Sequence, residues 1–272
     1  VRKNGDSAVK KYERKFNGKK TSQLRVSEKE IKEAQSKISN QEREAIQVMR
    51  NTLSWQESEY LKILPSYKYN ERDDYIRTAK SFTPIPSVGC YIPGGQARYP
   101  SSAVMSVTPA KIAGVKRIVV VSPPGRDGKI DPLTIAAAKM CGATEIYKVG
   151  GAQAIGALAH GTKSIPKVDK IVGPGGKFVS IAKSLVSDQT PIDMIAGPTE
   201  LGIIADASSD PELAALDLIS QAEHSKDTMC FVITQSKTMA KQIQKSIEKL
   251  IPDVERSSII KESISKNGFI AI

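Results

Sequence analysis

The chain is poor in the residues that usually build metal and redox sites. It holds two histidines, three cysteines and one tryptophan in 272 residues. Two histidines, His160 and His224, cannot make a multi-histidine metal site or easily spare a separate histidine base. Cys90, Cys141 and Cys230 lie far apart and form no CxxC. Free thiols in a reducing cytoplasm are therefore expected, not a disulfide framework. No apolar run approaches the roughly 18 residues of a membrane span, and the first residues show no secretory leader pattern. Aromatic residues make up only 5% of the chain, too few for a platform on which single strands stack. The net charge of +11 would suit nucleic acid. However, lysines alternate with glutamates through the first 80 residues and again over Lys237 to Lys266, the pattern of solvated helix faces. Neither nucleic acid nor membrane is an expected partner.

Standard nucleotide fingerprints are missing too. No GxGxxG follows a strand, and Gly176-Lys177 lacks the upstream glycine and the Ser/Thr of a P-loop.

What is present is a length and composition sufficient for one large domain or two smaller ones. The first 90 residues read as mainly helical. Ser27 and Glu30 form a capping-box pattern, and Ile31, Ala34, Ile38, Ala45, Val48 and Met49 recur at helical spacing as a core-facing stripe. Tyr60 to Ser87 holds prolines and turns. From Gly89 strands and helices alternate. Strands are expected over Lys116–Ser122, Glu145–Val149 and Asp169–Val172. Helices are expected from Asp131-Pro132 to Cys141, over Gln153–His160, and over Phe178–Val186. A second such rhythm has strands at Leu201–Ala205, Met229–Thr234 and from Phe269. Its helices run from Asp210-Pro211 through His224 and over Ser236–Leu250. The expected class is α/β: two Rossmann-like parallel-sheet units with an N-terminal helical segment. The expected domains are residues 1–89, packing with 199–272, then 90–198, then 199–272. The chain opens on Val1 and stops inside an apolar run after Gly268, so a piece of a longer protein is expected.

Three blocks stand out. The first runs Val149-Gly150-Gly151-Ala152-Gln153-Ala154-Ile155 and on to Val168-Asp169-Lys170-Ile171-Val172-Gly173-Pro174-Gly175. The second is Ile192-Asp193-Met194-Ile195-Ala196-Gly197-Pro198-Thr199-Glu200, and the third Ser220-Gln221-Ala222-Glu223-His224. The glycine corners stand at the carboxyl ends of expected strands, where open parallel sheets bind ligands and a helix N-terminus favours an anion. Taken alone, each is more often just a tight turn. Tyr91, before Pro93-Gly94-Gly95, could stack on a ring or simply pack. Gln221 and His224, three apart, would share a helix face and could meet one ion, or be polar residues at a helix end.

Together with Tyr99-Pro100-Ser101-Ser102 and Pro109-Ala110-Lys111-Ile112-Ala113-Gly114, these blocks resemble the histidinol dehydrogenase family. The similarity runs from Val1-Arg2-Lys3-Asn4-Gly5-Asp6 to the end. The resemblance implies two NAD-dependent oxidations of L-histidinol to L-histidine, by way of the aldehyde, with bound zinc and a homodimer. It implies that Gln221 and His224 are zinc ligands that also contact substrate. Thr199 matches a substrate-contacting serine, and Tyr91 and Gln153 match NAD contacts. Gly176 stands where the family has an asparagine on NAD. The family's Glu-His acid/base pair and its remaining aspartate and histidine zinc ligands have no counterpart before Ile272. No catalytic residue is therefore expected in this chain, which reads as an inactive truncated form or a non-catalytic nucleotide-binding fragment.

Overall fold

The computed structural model describes residues 1–17, 23–64, 67–73, 76–94, 98–195 and 199–272; Gly95 and residues 196–198 of the second block lie outside them. The chain divides into two compact units, Val1–Ala196 and Gly197–Ile272.

The first unit opens with helices α1 (Gly5–Asn17), α2 (Glu28–Lys37) and α3 (Asn40–Ile63), then strands β1 (Tyr67–Asp73) and β2 (Ile76–Lys80). It continues β3 (Ser87–Tyr91), α4 (Pro100–Ile112), β4 (Arg117–Ser122), α5 (Pro132–Cys141), β5 (Glu145–Lys148), α6 (Gly151–His160), β6 (Lys170–Val172) and α7 (Lys177–Val186). The Ser27/Glu30 capping box forms as expected, and Ser39 and Glu42 form a second one that starts α3. Between them Ile38 is extended, so the helical phase restarts. This corrects the stripe. Ile31, Ala34 and Ile38 are buried, but Ala45 and Val48 face water, while Ile46, Met49 and Leu53 take the core positions of α3. Within the Tyr60–Ser87 stretch, read as turns, β1 and β2 pair antiparallel.

Strands β3 to β6 make one parallel sheet in the order β5-β4-β3-β6. The chain steps outward from β3 to β5 and then jumps back across to β6. Right-handed crossovers therefore place α4 and α5 on one face and α6 on the other, where α7 packs beside α6. The two faces are separate apolar cores. Cys90, Ile118, Val120 and Ile146 pack with α4 and α5, and Val119, Val121, Tyr147 and Ile171 pack with α6 and α7. Helix α1 packs on α6, α2 on α5 and α3 on α4. Both sheet edges are closed. Val26 donates to Ile146 O at 2.8 Å, Lys148 donates to Leu24 O at 2.7 Å, and Ile192 bridges Ile171.

The second unit comprises β7 (Glu200–Ala205), α8 (Pro211–Ala222), β8 (Met229–Thr234), α9 (Lys237–Leu250), α10 (Ser257–Asn267) and β9 (Phe269–Ala271), with a parallel sheet in the order β7-β8-β9. Asp210 caps α8 by accepting from the Glu212 and Leu213 amides. Helix α8 ends at Ala222, two residues before the expected end. His224 lies in a tight turn, its amide donating to Gln221 O at 3.2 Å.

Candidate nucleotide site at the carboxyl edge of the first sheet

In a sheet ordered β5-β4-β3-β6, the chain reverses direction between β3 and β6. Ligands of open α/β sheets sit in the crevice this reversal leaves at the carboxyl ends. Tyr91 ends β3 on one side of it, and Gly173-Pro174-Gly175-Gly176 lead from β6 into α7 on the other.

The two glycine corners differ. The Gly150-Gly151 corner is closed by the protein itself. The Gly150 amide donates to Glu13 Oε1 at 2.9 Å, and the Gly151 amide donates to the Tyr91 hydroxyl at 3.0 Å. A Cβ on Gly150 would stand 2.3 Å from Pro123, so glycine here serves packing. The anion-favouring start of α6 is thus served by a buried carboxylate of α1. Gln153 turns inward as well, its Nε2 donating to the same Glu13 oxygen at 2.7 Å. Tyr91 is buried, and burial first, then the Glu13 charge, push its hydroxyl above its usual range against the Gly151 hydrogen bond. It packs within the core rather than offering a ring to solvent.

The Gly173–Gly176 corner is open at its far end, Gly176. Gly173 has φ +106°, and a Cβ there would stand 2.2 Å from Tyr91 O, so glycine alone lets β6 turn against β3. Gly176 precedes α7 with no side-chain cap, and a Cβ there would meet nothing within 4 Å. An ion pair holds the corner from beneath. The buried Lys183 ammonium donates to Gly173 O at 3.0 Å and to Asp193, whose Oδ2 accepts from the Gly173 amide at 2.8 Å. Burial raises the Asp193 pKa. The hydrogen bonds from Lys183, Gly173 and Met194, with the Lys183 charge, outweigh it and leave the group below its usual value. Asp193 belongs to the second sequence block, but Lys183 and Glu13 carried no local signal. Each meets its partner by tertiary folding.

A hollow of about 390 Å³ opens by the carboxyl end of β4, lined by Gly94, Ser122, Pro123 and Asp131. A larger one of about 720 Å³ runs beside Gly173 and Pro174 between α3, α4 and Phe82. Neither is lined by Tyr91 or Gln153.

His160 ends α6 at the opposite, amino edge. Burial, then the charges of Arg2, the chain amino group and Lys167, lower its pKa. All three thiols are buried and raised by burial, Cys90 to about 12. None is a ready nucleophile.

In the second unit, Thr199, exposed, directly precedes β7, and half-buried Gln221 and exposed His224 follow at the far end of α8. All three lie at the amino edge of that sheet. Among the described residues, no group of three or more His, Cys, Asp or Glu that could hold a metal ion is found.

The family model for histidinol dehydrogenase matches residues 1–272. The chain belongs to the histidinol dehydrogenase family. These are oxidoreductases of histidine biosynthesis by the family's name. The chain is 46% identical to the histidinol dehydrogenase of Bacillus cereus over 273 residues, covering all of this chain and 62% of that protein. It is 42% identical to that of Methanothermobacter thermautotrophicus, with 100% and 63% covered. The crystal structure of histidinol dehydrogenase from Elizabethkingia anophelis superposes with a TM-score of 0.88 at 34% identity, covering 98% of this chain and 61% of that one. The chain thus spans somewhat under two thirds of the length of these relatives. A benzaldehyde dehydrogenase from Corynebacterium glutamicum shares the fold at a TM-score of 0.51 and 14% identity. Among the described residues, no helix is long and apolar enough to cross a membrane.

Proposed function

We propose that this chain is the NAD-binding part of an enzyme that oxidises L-histidinol to L-histidine by way of the aldehyde, as a homodimer in the cytoplasm. The reversal point between β3 and β6, where the glycine corner opens at Gly176 before α7, carries this reading. NAD fits there. The amides at the start of α7 would face its pyrophosphate, while Lys183 and Asp193 hold the corner's shape. When bound, the nicotinamide accepts the hydride removed from the alcohol and then from the aldehyde. Tyr91 and Gln153 would act by fixing β3 and α6 around the crevice, because their polar atoms are already engaged with Gly151 and Glu13.

Zinc does not fit on this chain's residues alone. Gln221 and His224 supply two donors of the four that a zinc ion usually takes. In this reading they and Thr199 contact substrate and metal only in the longer protein. No proton transfer is assigned either, since His160 stands at the opposite sheet edge and His224 is exposed. The chain alone is accordingly expected to be inactive. A non-catalytic nucleotide-binding fragment is the second reading; it shares NAD binding and differs in that no added segment would give turnover. The buried thiols disfavour a thiol-based aldehyde dehydrogenase.

Calorimetric titration with NAD tests the proposal. Saturable binding that is lost in Gly176→Phe, which fills open space at the corner, is expected. Equal binding by that variant, or none by the natural chain, contradicts it.

A further inference from the structure

The hollow of about 390 Å³ at the carboxyl end of β4 is of a size that small molecules occupy. In the sheet order β5-β4-β3-β6, β4 flanks β3 on the side away from β6. The hollow is thus two strands, or about 10 Å, from the start of α7 that would face the pyrophosphate. A dinucleotide spans such a distance between its pyrophosphate and its adenosine ribose. Open α/β sheets receive that ribose at the end of the second strand, and the side chains there set the cofactor. A carboxylate accepts from the ribose hydroxyls, whereas a cation takes a 2′-phosphate.

Strand β4, second in its sheet, ends in Ser122-Pro123-Pro124-Gly125, without a carboxylate. Ser122 is 1% exposed, and among the described residues its hydroxyl has no hydrogen-bond partner. It lines the hollow beside Gly94, where a Cβ would stand 3.2 Å from Ser122 Oγ and 3.3 Å from Pro123 O. Glycine there keeps the hydroxyl within reach, as a donor and an acceptor for a sugar. Two carboxylates line the hollow away from the strand end, and both are engaged locally. Asp131 accepts from the Thr134 amide at 3.0 Å and pairs with Arg98 at 3.1 Å. Asp127 accepts from the Lys129 amide at 3.0 Å. Lys37, at the end of α2, and Lys129, before α5, also line the hollow. Among the described residues neither ammonium is in an ion pair.

We infer that this hollow takes an adenosine ribose carrying a 2′-phosphate, so that the crevice binds NADP at least as tightly as NAD. Lys37 and Lys129 meet the phosphate as point charges, and Ser122 bonds the ribose. The inference rests on the nucleotide crevice proposed above and adds the phosphorylated dinucleotide to what it takes.

Calorimetric titration of this chain with NAD, NADP, adenosine 2′,5′-bisphosphate and adenosine 5′-phosphate tests it. At low salt NADP should bind about three- to tenfold more tightly than NAD, and the bisphosphate should exceed the monophosphate likewise. Lys37→Ala combined with Lys129→Ala, both at exposed positions, should bring NADP down to the affinity of NAD. Lys116→Ala, an equal loss of charge just before β4, should keep the preference. Ser122→Ala should weaken both dinucleotides about threefold or more without altering their ratio. Weaker binding of NADP than of NAD overturns the inference and leaves the crevice standing. So does a preference for NADP that survives the double lysine variant, which would place the phosphate elsewhere. Binding of the bisphosphate without binding of NAD upholds the hollow and overturns the NAD reading instead. Binding of none of the four overturns both.

Discussion

Glu13 and Gln153 meet in the interior, 140 residues apart in sequence, with Gln153 Nε2 donating to Glu13 Oε1 at 2.7 Å. The same carboxylate accepts from the Gly150 amide, so one side chain of α1 completes the start of α6. Glu13→Ala leaves both donors buried without it. A loss of about 2–3 kcal/mol of stability is expected, read as a lower urea midpoint at unchanged slope. Glu13→Gln keeps one acceptor oxygen and should lose less.

Lys183 and Asp193 predict both a variant and a pH response. Asp193→Asn leaves a buried ammonium without its counter-charge, and a loss of about 2–4 kcal/mol is expected. Asp193 has a folded pKa below its unfolded one, so its contribution is complete above the ordinary carboxylate range and is lost as pH falls through the folded value. Glu30 and Glu145 shift the same way: burial raises each, but hydrogen bonds from Lys148 and Ser27, or from Arg117 and Tyr147, outweigh it. Stability should therefore hold from neutrality to about pH 4 and decline below it. Thermal midpoints across pH 3–7 measure this, and Asp193→Asn should flatten the decline.

Gly173 tolerates no side chain. Its positive φ and the 2.2 Å approach of Tyr91 O to a Cβ act together, so Gly173→Ala should cost about 3 kcal/mol or more and abolish NAD binding. A folded Gly173→Ala variant that still bound NAD would contradict the placement of the crevice.

Gly176 is the opposite case. Its φ of −66° suits any residue and its Cβ direction is open. Gly176→Asn, the residue that the resemblance implies for this position, should fold normally and gain a few tenths of a kcal/mol as a better N-cap. One added hydrogen bond should tighten NAD about three- to tenfold. Parallel calorimetry of the two proteins reads this directly.

These residues show which features the sequence made legible. Local signals read well. Asp131 and Pro132 opened α5, Ser27 with Glu30 capped α2, and continuous apolar runs located β4 and β8. Errors came where a local pattern was interrupted. Ser39 restarted the helical phase and turned Val48 outward, and a tight turn ended α8 before His224. The β1–β2 hairpin was lost in a polar, turn-rich stretch without an apolar alternation. Strand order was not legible, because parallel neighbours are set by long-range pairing, and the crevice depends on that order. Gly150 and Gly173 looked alike as sequence corners. Only tertiary contact showed that Glu13 closes the first and Asp193 the second, leaving Gly176 as the open position.

The most direct test is NADH formation from L-histidinol with zinc supplied. It should be run on this chain and on the chain extended by the remaining segment of the Bacillus cereus relative, both shown to be folded. The account predicts NAD binding by both and turnover by the extended protein alone. Turnover by this chain at a comparable rate would place the proton-transfer groups within these 272 residues and contradict it.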